Sequence, residues 1–279
     1  MNRVIKCIIF DLDRTTLNSN GEISAYCLNA LRYAAQMKIL LVIATGRFLS
    51  GIPEDIKNLE FVDYIIASNG ASIYDNRRKQ FIWSCHIDAD SVQRLVNICR
   101  EKGLCLEIVI NGKGFAPLDY IENPVKYGTP KRATSYIQKT RTPVPNIFEK
   151  ALMNINNIEC ANIIFNNMEK KHDALEYLTY ALPNLYITSS VPSLLEISNP
   201  LSGKHNAMKF LSNILSLPIR NFLAFGDENN DAEMLKMSGI GIAVANASDK
   251  CLASADLVTL SNDRDGVAHA IYSLLKYNS

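Results

Sequence analysis

Short runs of aliphatic residues, apolar on both faces, most constrain what this chain can fold into. The run at 5–10 is apolar apart from one lysine, and similar runs occupy 39–44 and 63–68. A strand that buries both of its faces is typical of a parallel sheet covered by helices. The segments between these runs, 24–38 and 52–60, carry apolar residues at helical spacing. The alternation of strand and helix therefore predicts an α/β fold with a parallel sheet.

The parallel pattern stops after residue 84 and returns near the end of the chain. Further buried strands are predicted at 221–226, 239–245 and 256–260. Between the two parts, strand-like and helical segments follow one another in an order typical of a small α+β domain with a mainly antiparallel sheet. We therefore expect a core formed by residues 1–84 and 191–279, with residues 85–190 inserted as a second domain.

One part of the inserted segment shows little periodicity. Residues 124–147 contain prolines at positions 124, 130, 143 and 145. Proline lacks the backbone N–H that the interior of a helix or a central strand needs. This stretch is therefore predicted to be irregular.

Composition indicates a globular enzyme and argues against two classes of partner. The 279 residues are 48% hydrophobic and 20% charged, and the formal net charge is +1. The sequence has no dense run of lysine and arginine, so nucleic acid is not an expected partner. No apolar run reaches the length that spans a membrane, so a membrane is not expected either.

The cysteines and the first residues indicate the cytoplasm. Seven cysteines, an odd number, are scattered without a C-x-x-C pair, and four histidines show no metal-ligand spacing. This usage is typical of reduced thiols rather than of disulfides or a zinc site. The stretch MNRVIKCIIFDL lacks the long apolar core of a signal peptide. We expect a cytoplasmic protein whose oligomeric state the sequence leaves open.

Polar residues follow the predicted core strands or begin the helices beside them. They form four clusters: Asp11-x-Asp13, Thr45-Gly46-Arg47, Lys204, and GDENND at 226–231. Ligands bind at the carboxyl ends of the strands in an open parallel sheet. Each cluster alone is a weak signal, because turn formation, helix capping or a solvated lysine would explain it. Four clusters at one edge of a sheet instead predict a functional site.

The charge of these clusters predicts a metal. Aspartates would converge at positions 11, 13, 227 and 231. So many carboxylates do not all stay ionised in one place without counter-charge. Lys204 supplies one positive charge, and a divalent cation would supply the rest. A ligand set of oxygens without histidine or cysteine favours Mg²⁺, which is commonly shared with a substrate phosphate.

Hydrogen-bond donors for a phosphate lie in the same clusters. The backbone amides of Leu12 and Gly46 and the hydroxyl of Thr45 would donate to phosphoryl oxygens. Standing alone, Thr45 would be explained as a helix N-cap. Asn230 is likewise predicted to cap the helix that follows it, with Glu233 in the capping-box position.

The four clusters resemble the motifs of the haloacid dehalogenase superfamily. FDLDRT, ATGR, the lysine of SGKHNA, and GDENNDAEML are similar to its four motifs. SNGA at 68–71 and the ending GIAVANASDKCLASADLVTLSNDRDGVAHAI resemble its Cof-type branch of sugar-phosphatase-like proteins. The resemblance covers the whole core. It implies a Rossmann-like parallel-sheet core with an α+β cap inserted after the third core strand.

The resemblance also implies a role for each motif residue. Asp11 would be the nucleophile that forms an aspartyl-phosphate, and Asp13 would be the general acid and base. Mg²⁺ would be bound by Asp11, Asp13 (through its backbone carbonyl) and Asp227. Phosphate would be bound by Leu12, Thr45, Gly46, Lys204 and Asn230, with Arg47 and Asp231 in supporting roles. The implied activity is Mg²⁺-dependent hydrolysis of a small phosphorylated metabolite, such as a sugar phosphate.

Three positions depart from the family pattern. Arg14 stands where the family usually has glycine, Thr16 where it has leucine, and His205 where the branch usually has glycine. Glycine permits a positive φ or a close backbone approach. Arg14 is therefore expected to alter the turn after Asp13, while none of the three changes removes a catalytic group.

Two other activities remain compatible with the sequence. A phosphomutase would return the phosphoryl group to another substrate oxygen, but the large insert and the Cof-like ending favour hydrolysis. A phospho-ligand-binding module would accept phosphate on Asp11 with little turnover. Asp13 as a positioned acid argues against such a module, and Arg14 mildly favours it. Dehalogenation is disfavoured because Asp13 has no role when the leaving group is a halide.

Overall fold

The structure, a computed structural model, describes residues 4–189 and 191–276, which divide into two compact units. The first unit runs from the first described residue to Thr45, and continues over Glu54–Ile82 and from Gly203 to the last described residue. The second unit consists of Gly46–Pro53 and Trp83–Ser202. The predicted domain boundary at 190 and the chain ends, 1–3 and 277–279, lie outside the described residues. No helix in the described ranges is long and apolar enough to cross a membrane.

The strands belong to two sheets. In chain order they are β1 (Cys7–Phe10), β2 (Leu40–Ala44), β3 (Tyr64–Ala67), β4 (Ser72–Asp75), β5 (Gln80–Ser84), β6 (Cys105–Ile110), β7 (Lys113–Pro117), β8 (Arg141–Val144), β9 (Ile158–Ile164), β10 (Tyr186–Thr188), β11 (Leu194–Ser198), β12 (Phe222–Gly226), β13 (Ile240–Ala243) and β14 (Leu257–Val258).

The helices separate most of these strands. They are α1 (Ala25–Gln36), α2 (Glu54–Lys57), α3 (Ala89–Glu101), α4 (Leu118–Glu122), α5 (Thr134–Thr140), α6 (Ile147–Met153), α7 (Met168–Ala181), α8 (Lys204–Ile214), α9 (Ala232–Met237), α10 (Asp249–Ser254) and α11 (Gly266–Lys276). Short 3₁₀ turns include Leu49–Gly51, Ser68–Gly70 and Pro124–Tyr127.

The sheet of the first unit has the order β14-β13-β12-β1-β2-β3-β4-β5 in the part of the chain that the structure describes. β1 pairs in parallel with both β12 and β2, and Phe10 lies level with Phe225 and Ile43. All four residues of β1 are buried, which explains why this strand is apolar on both faces. The residues that follow these strands emerge at one edge. The predicted α/β fold with a parallel core sheet is thus confirmed.

The sheet of the second unit has the order β10-β11-β9-β6-β7-β8 within the described residues. Its pairings are antiparallel except for that of β7 with β8. One face carries aliphatic side chains, including Leu106, Ile108, Ile163 and Ile197, which form an apolar core with residues of α3, α6 and α7. The period-2 alternation places different residues on the other face. This is the mainly antiparallel α+β arrangement predicted from the sequence.

The opposite face of this second sheet carries buried polar groups. Glu107 lies level with Asn162 on the neighbouring strand. Arg141 donates to the Glu107 carboxylate from Nε at 2.7 Å and from Nη2 at 3.2 Å, and Asn162 donates to it at 2.8 Å. A buried charge pair needs such additional hydrogen bonds to offset its desolvation.

The segment Gly46–Pro53 packs in this second unit although it follows a strand of the first. The Phe48 ring contacts Val109 and Cys160, and the Arg141 guanidinium lies 4.8 Å from its centre. The side chain of Phe48 is 3% exposed. Burial of one aromatic ring accounts for the place of this segment in the second unit.

Two predicted elements differ in the structure. The stretch 124–147 contains α5 and β8, because its prolines stand where they are tolerated: Pro124 begins a 3₁₀ turn, and Pro143 lies in an edge strand. The expectation of an irregular segment was wrong. The run at 256–260 was expected to be a buried strand, but β14 is the outermost strand and its residues are exposed.

Candidate active site

The site begins where β1 ends. Asp11 follows the strand with extended backbone, and its carbonyl oxygen accepts a hydrogen bond from Thr16 Oγ1 at 2.6 Å. The turn Leu12–Thr16 closes tightly because Arg14 adopts a left-handed conformation, with φ of 61°. Asp11 is 5% exposed, whereas Asp13 is exposed. Leu12 is fully buried beneath the turn.

Lys204 is the first residue of α8 and lies inside the site. Its ammonium is 2.6 Å from Asp11 Oδ1 and 2.7 Å from Asp231 Oδ1. Its side chain is 1% exposed, so the alternative of a solvated lysine is wrong. Burial lowers the pKa of Lys204, but Asp11 and Asp231 outweigh it and raise that pKa above its ordinary value. The lysine is therefore charged and held by two carboxylates.

Asp231 organises the loop after β12. Its Oδ2 accepts the backbone amides of Asp227 and Glu228, each at 3.1 Å. Gly226 is required beside it, because a Cβ there would lie 2.4 Å from Asp231 Cβ. Asp231, not Asn230, precedes α9 as the N-cap residue, and it makes no side-chain capping bond. The predicted Asn230 cap was wrong, because the helix begins one residue later and Asn230 is oriented by the hydrogen bond from its Nδ2 to Asn69.

One carboxylate oxygen of Asp227 accepts a hydrogen bond, and the other has only a long ionic contact with Arg14 Nε, at 3.7 Å. Its Oδ1 accepts the Thr15 hydroxyl at 3.0 Å. Its Oδ2 is buried and has no hydrogen-bond partner among the described residues. A buried polar atom without a partner is rare and needs an explanation, such as an ion that belongs there. The Asp227 carboxylate lies close to the carboxylates of Asp11 and Asp231.

The three carboxylates together suit a cation. Oxygens of Asp11, Asp227 and Asp231 lie within 4.8 Å of one another. Burial raises the pKa of Asp11 well above its usual range, opposed by Lys204. Burial and Asp231 raise the pKa of Asp227 to about 7. Lys204 and the exposed Arg14, whose Nε is 3.7 Å from Asp227 Oδ2, leave part of this charge unbalanced, and oxygen ligands that include an Asp227 oxygen without a hydrogen bond fit Mg²⁺.

Thr45 lies at the same sheet edge after β2. It is 1% exposed, its amide donates to the Ile66 carbonyl at 2.9 Å, and its carbonyl accepts the Asn69 amide at 3.1 Å. The structure thus places Thr45 in the first unit with Asp11. Gly46 and Arg47 belong to the second unit, where the Arg47 guanidinium lies 4.8 Å from the centre of the Tyr136 ring. Their assigned roles stay predictions.

Asn69 is a site residue that the sequence reasoning missed. Its side-chain Oδ1 accepts a hydrogen bond from Asn230 Nδ2 at 2.8 Å. Ser68, Asn69 and Gly70 all have positive φ, at 49°, 53° and 89°. Asparagine and glycine tolerate this conformation better than other residues. The Asn-Gly pair after a strand was the available signal, because it marks such a turn.

Residues near the end of the chain hold the turn after Asp11. Asn246 Nδ2 donates to the Arg14 carbonyl at 2.8 Å, and Asn262 Nδ2 donates to the Leu17 carbonyl at 2.9 Å. The Asn246 side chain in turn accepts the Asn262 amide at 2.9 Å. Ser19 is bonded to Asp263 through its amide and its hydroxyl, each at 2.7 Å. These contacts explain part of the Cof-like ending in physical terms.

The chain matches known proteins over nearly its whole length. A family model for haloacid dehalogenase-like hydrolases matches residues 8–271. The 5-amino-6-(5-phospho-D-ribitylamino)uracil phosphatase YwtE of Bacillus subtilis is 30% identical over 286 residues, covering 97% of this chain and 98% of the relative. Phosphatase YwpJ of the same organism is 28% identical over 286 residues, covering 97% and 100%.

A solved structure shows the same fold. A haloacid dehalogenase-like hydrolase from B. subtilis is 25% identical, with a TM-score of 0.84, covering 96% of this chain and 99% of that one. The resemblance drawn from the four motifs is confirmed by the family match and by these relatives. The chain therefore belongs to the Cof-type haloacid dehalogenase-like hydrolases and is a phosphatase that acts on phosphorylated substrates.

Proposed function

We propose that this phosphatase hydrolyses a small phosphorylated metabolite, such as a sugar phosphate, with Mg²⁺ and through an aspartyl-phosphate on Asp11. The observation that carries the proposal is the buried Lys204 ammonium between Asp11 and Asp231, together with the buried Asp227 Oδ2, which accepts no hydrogen bond. One bound cation and one lysine would balance the carboxylates and leave Asp11 ionised as a nucleophile.

Asp11 and Asp13 divide the chemistry. Lys204 engages Asp11 Oδ1, which leaves Oδ2 to attack phosphorus in line with the leaving oxygen. The Asp11–phosphorus bond forms as the bond from phosphorus to the leaving oxygen breaks, and Asp13 gives that oxygen its proton. Asp13 then takes a proton from water, which attacks phosphorus and releases phosphate from Asp11. The exposure of Asp13 suits a group that meets the leaving alcohol and water in turn.

Asp11, the backbone carbonyl of Asp13, and Asp227 would hold Mg²⁺. Bound there, the ion would neutralise charge on the phosphoryl oxygens and orient them. Asp231 supports the site differently, because Lys204 and two backbone amides already engage both of its oxygens. It fixes the direction of Lys204 and the position of Asp227.

The phosphoryl oxygens would be bound by one charged group and by several neutral hydrogen-bond donors. Lys204 supplies the charge, and the proposed donors are the Leu12 and Gly46 amides, the Thr45 hydroxyl and the Asn230 amide, with Arg47 in support. Asn230 is held by Asn69, and its Nδ2 carries a second hydrogen for phosphate. Preorganised donors of this kind stabilise developing charge without reorganising during the reaction.

We assign catalysis to residues 1–84 and 191–279 and substrate selection to the cap, residues 85–190. Asp11, Lys204, Asp227 and Asp231 all lie in the first unit, so the second unit is left for recognition of the organic part of the substrate. The relative named for a phosphoribityl compound supports a polyhydroxylated phosphomonoester as substrate. The segment Gly46–Pro53 would assist the cap, since it packs there.

We also place the reaction in the cytoplasm, on a small-molecule substrate. All seven cysteines are free, as expected for thiols in a reducing compartment. The net charge of +1 offers no broad basic surface that would recruit nucleic acid.

The test is release of phosphate from a panel of phosphomonoesters, with Mg²⁺ or with a chelator. The Asp11→Asn variant is the blank, because the amide keeps the shape of the side chain and removes the nucleophilic charge. We expect sustained, Mg²⁺-dependent release by the wild type and phosphate-labelled enzyme after acid quenching. A single burst of labelling without release would favour a phospho-ligand-binding module. Transfer to another oxygen of the same substrate would favour a phosphomutase, and activity no greater than that of the blank would refute the proposal.

A further inference from the structure

Arg14 occupies a backbone position that few residues tolerate. Its φ of 61° and ψ of 3° are left-handed, a region where glycine is the usual residue. Asn246 Nδ2 donates to its carbonyl oxygen at 2.8 Å, which holds the residue in this conformation. The left-handed backbone carries the side chain toward the loop after β12, where it meets two acidic residues.

The guanidinium group of Arg14 lies against the proposed metal ligand. Its Nη1 is 2.6 Å from Glu228 Oε1, and its Nε is 3.7 Å from Asp227 Oδ2. Its Nη2 lies 3.4 Å from the Asn246 carbonyl oxygen. Asp227 Oδ2 is one of the buried side-chain atoms that have no hydrogen-bond partner among the described residues. The arginine therefore places a permanent positive charge beside the oxygen that would bind Mg²⁺.

We infer that Arg14 is a positioning residue that weakens Mg²⁺ binding by this phosphatase. The inference rests on the proposed function, because it takes Asp227 as a metal ligand. Two effects act in the same direction. The guanidinium repels a cation at Asp227, and it neutralises Glu228, whose charge would otherwise attract one.

The size of the effect follows from the charges. The side chain of Arg14 is 60% exposed, so water and salt screen its interaction with the site. A unit charge and a divalent ion about 6 Å apart in a water-like dielectric change binding by roughly tenfold. Thr15 still orients Asp227 when Arg14 is replaced, so the ligand itself stays in place.

The experiment measures Mg²⁺ binding to the whole chain by titration calorimetry after treatment with a chelator. Arg14→Asn and Arg14→Gly both remove the charge and tolerate the left-handed backbone. Arg14→Lys is the matched control, because it keeps the charge. Circular dichroism and thermal unfolding of each variant verify that it is folded.

We expect Arg14→Asn and Arg14→Gly to bind Mg²⁺ roughly tenfold more tightly than the wild type at low salt. The gain should shrink as salt is raised, and Arg14→Lys should stay near the wild type. A purely structural role would not give this pattern of charge and salt dependence. Equal dissociation constants for the wild type and both uncharged variants would overturn the inference while leaving the metal site intact. Absence of Mg²⁺ binding in the wild type would overturn the metal proposal and this inference together.

Discussion

The Lys204 ammonium lies 2.6 Å from Asp11 and 2.7 Å from Asp231, with 1% of the side chain exposed. Replacing it with alanine leaves two buried carboxylates without their counter-charge. We expect Lys204→Ala to lower the free energy of unfolding by about 3–5 kcal/mol. It should also lower kcat by about 10²–10³, because an electrostatic contact to the phosphoryl group is lost. Urea unfolding and steady-state kinetics measure the two effects.

The same helix supplies a control for Lys204. Lys209 also lies on α8 but is exposed, so Lys209→Ala should leave both quantities near the wild type. Lys204→Arg keeps the charge but replaces a compact ammonium with a planar fork, and it should still lose most activity. Wild-type turnover in Lys204→Ala would contradict the role given to this residue.

The raised pKa of Asp227 predicts how Mg²⁺ binding depends on pH. Burial and Asp231 raise this pKa to about 7 in the metal-free protein, and the proposed Mg²⁺ would bind the ionised carboxylate. Below that pH, affinity should fall by about tenfold per unit as the proton competes. Without metal, the same shift contributes stability that is present below the ordinary value of 3.8 and is lost as pH rises through about 7.

Calorimetry in buffers of different ionisation enthalpy measures the number of protons that Mg²⁺ displaces. We expect proton release to be largest at acidic pH and to disappear well above 7. An Mg²⁺ affinity that is constant across this range, with no proton release, would show that Asp227 is already ionised.

At the residue scale, the sequence predicts which side chains form the site but not all of the contacts that they make. Asp11, Lys204 and Asp231 were predicted to converge because each stands at the end of a strand or the start of a helix, and the structure brings them together. The contact of Arg14 with Glu228 joins residues 214 positions apart, and no local pattern predicts it. The glycine that the family usually has at position 14 indicated a positive φ there, and Arg14 adopts that backbone although its residue type disfavours it.

At the scale of elements, the turn Ser68–Gly70 ties the strand β3 to the start of α8. Gly70 has φ of 89°, and a Cβ there would lie 2.4 Å from the Gly203 carbonyl oxygen. We expect Gly70→Ala to destabilise the protein by roughly 3 kcal/mol or more, because both the backbone conformation and the close contact oppose a side chain.

Gly21 is a control that separates the effect of the backbone conformation from the effect of the close contact. Its φ is 79°, but nothing lies within 4 Å of an added Cβ. Gly21→Ala should therefore cost only about 1 kcal/mol, from the backbone alone. Denaturant unfolding of both variants measures the difference, and equal losses would mean that the contact with Gly203 does not constrain the turn.

The same turn positions Asn230 through the side chain of Asn69. Asn69→Gly keeps the left-handed backbone and removes the amide that accepts the 2.8 Å hydrogen bond from Asn230. We expect inorganic phosphate to inhibit this variant about tenfold less strongly, because a freed Asn230 loses its orientation. In the Asn230→Ala background the same change should have little further effect. Additive losses would show that the two asparagines act independently.

Helices and strands were predictable where apolar residues recur at a regular spacing. They were not predictable where the effect of a single residue depends on its place in the sheet. The core strands follow from their apolar runs. The strand β8 and the helix α5 did not, because the prolines of 124–147 suggested an irregular segment. Pro143 is tolerated because β8 is an edge strand. The order of strands in the sheet is set by the folded domain and cannot be read from the local sequence.

At the scale of the whole molecule, the second unit is built from two separate stretches of chain. Phe48, in Gly46–Pro53, packs against Val109 and Cys160 of the long insert. A chimera that takes only Trp83–Ser202 from another family member loses these matched partners of Phe48. We expect it to unfold about 5 °C lower than a chimera that also exchanges Gly46–Pro53. Differential scanning calorimetry of the two chimeras tests this, and equal unfolding temperatures would contradict it.

The hydrogen bonds that hold the turn after Asp11 come from residues near the end of the chain, so they form only late in the synthesis of the protein. β1 is synthesised well before β12, which is one of its two neighbours, and the Leu17 carbonyl is bonded by Asn262, 245 positions later. A chain that ends before residue 204 has Asp11 without Lys204, Asp227 or Asp231, and one that ends before Asn262 lacks the hydrogen bond to the Leu17 carbonyl. We therefore expect a polypeptide that stops before residue 204 to have no phosphatase activity, because Asp11 has no counter-charge there and its partners in the carboxylate cluster are missing.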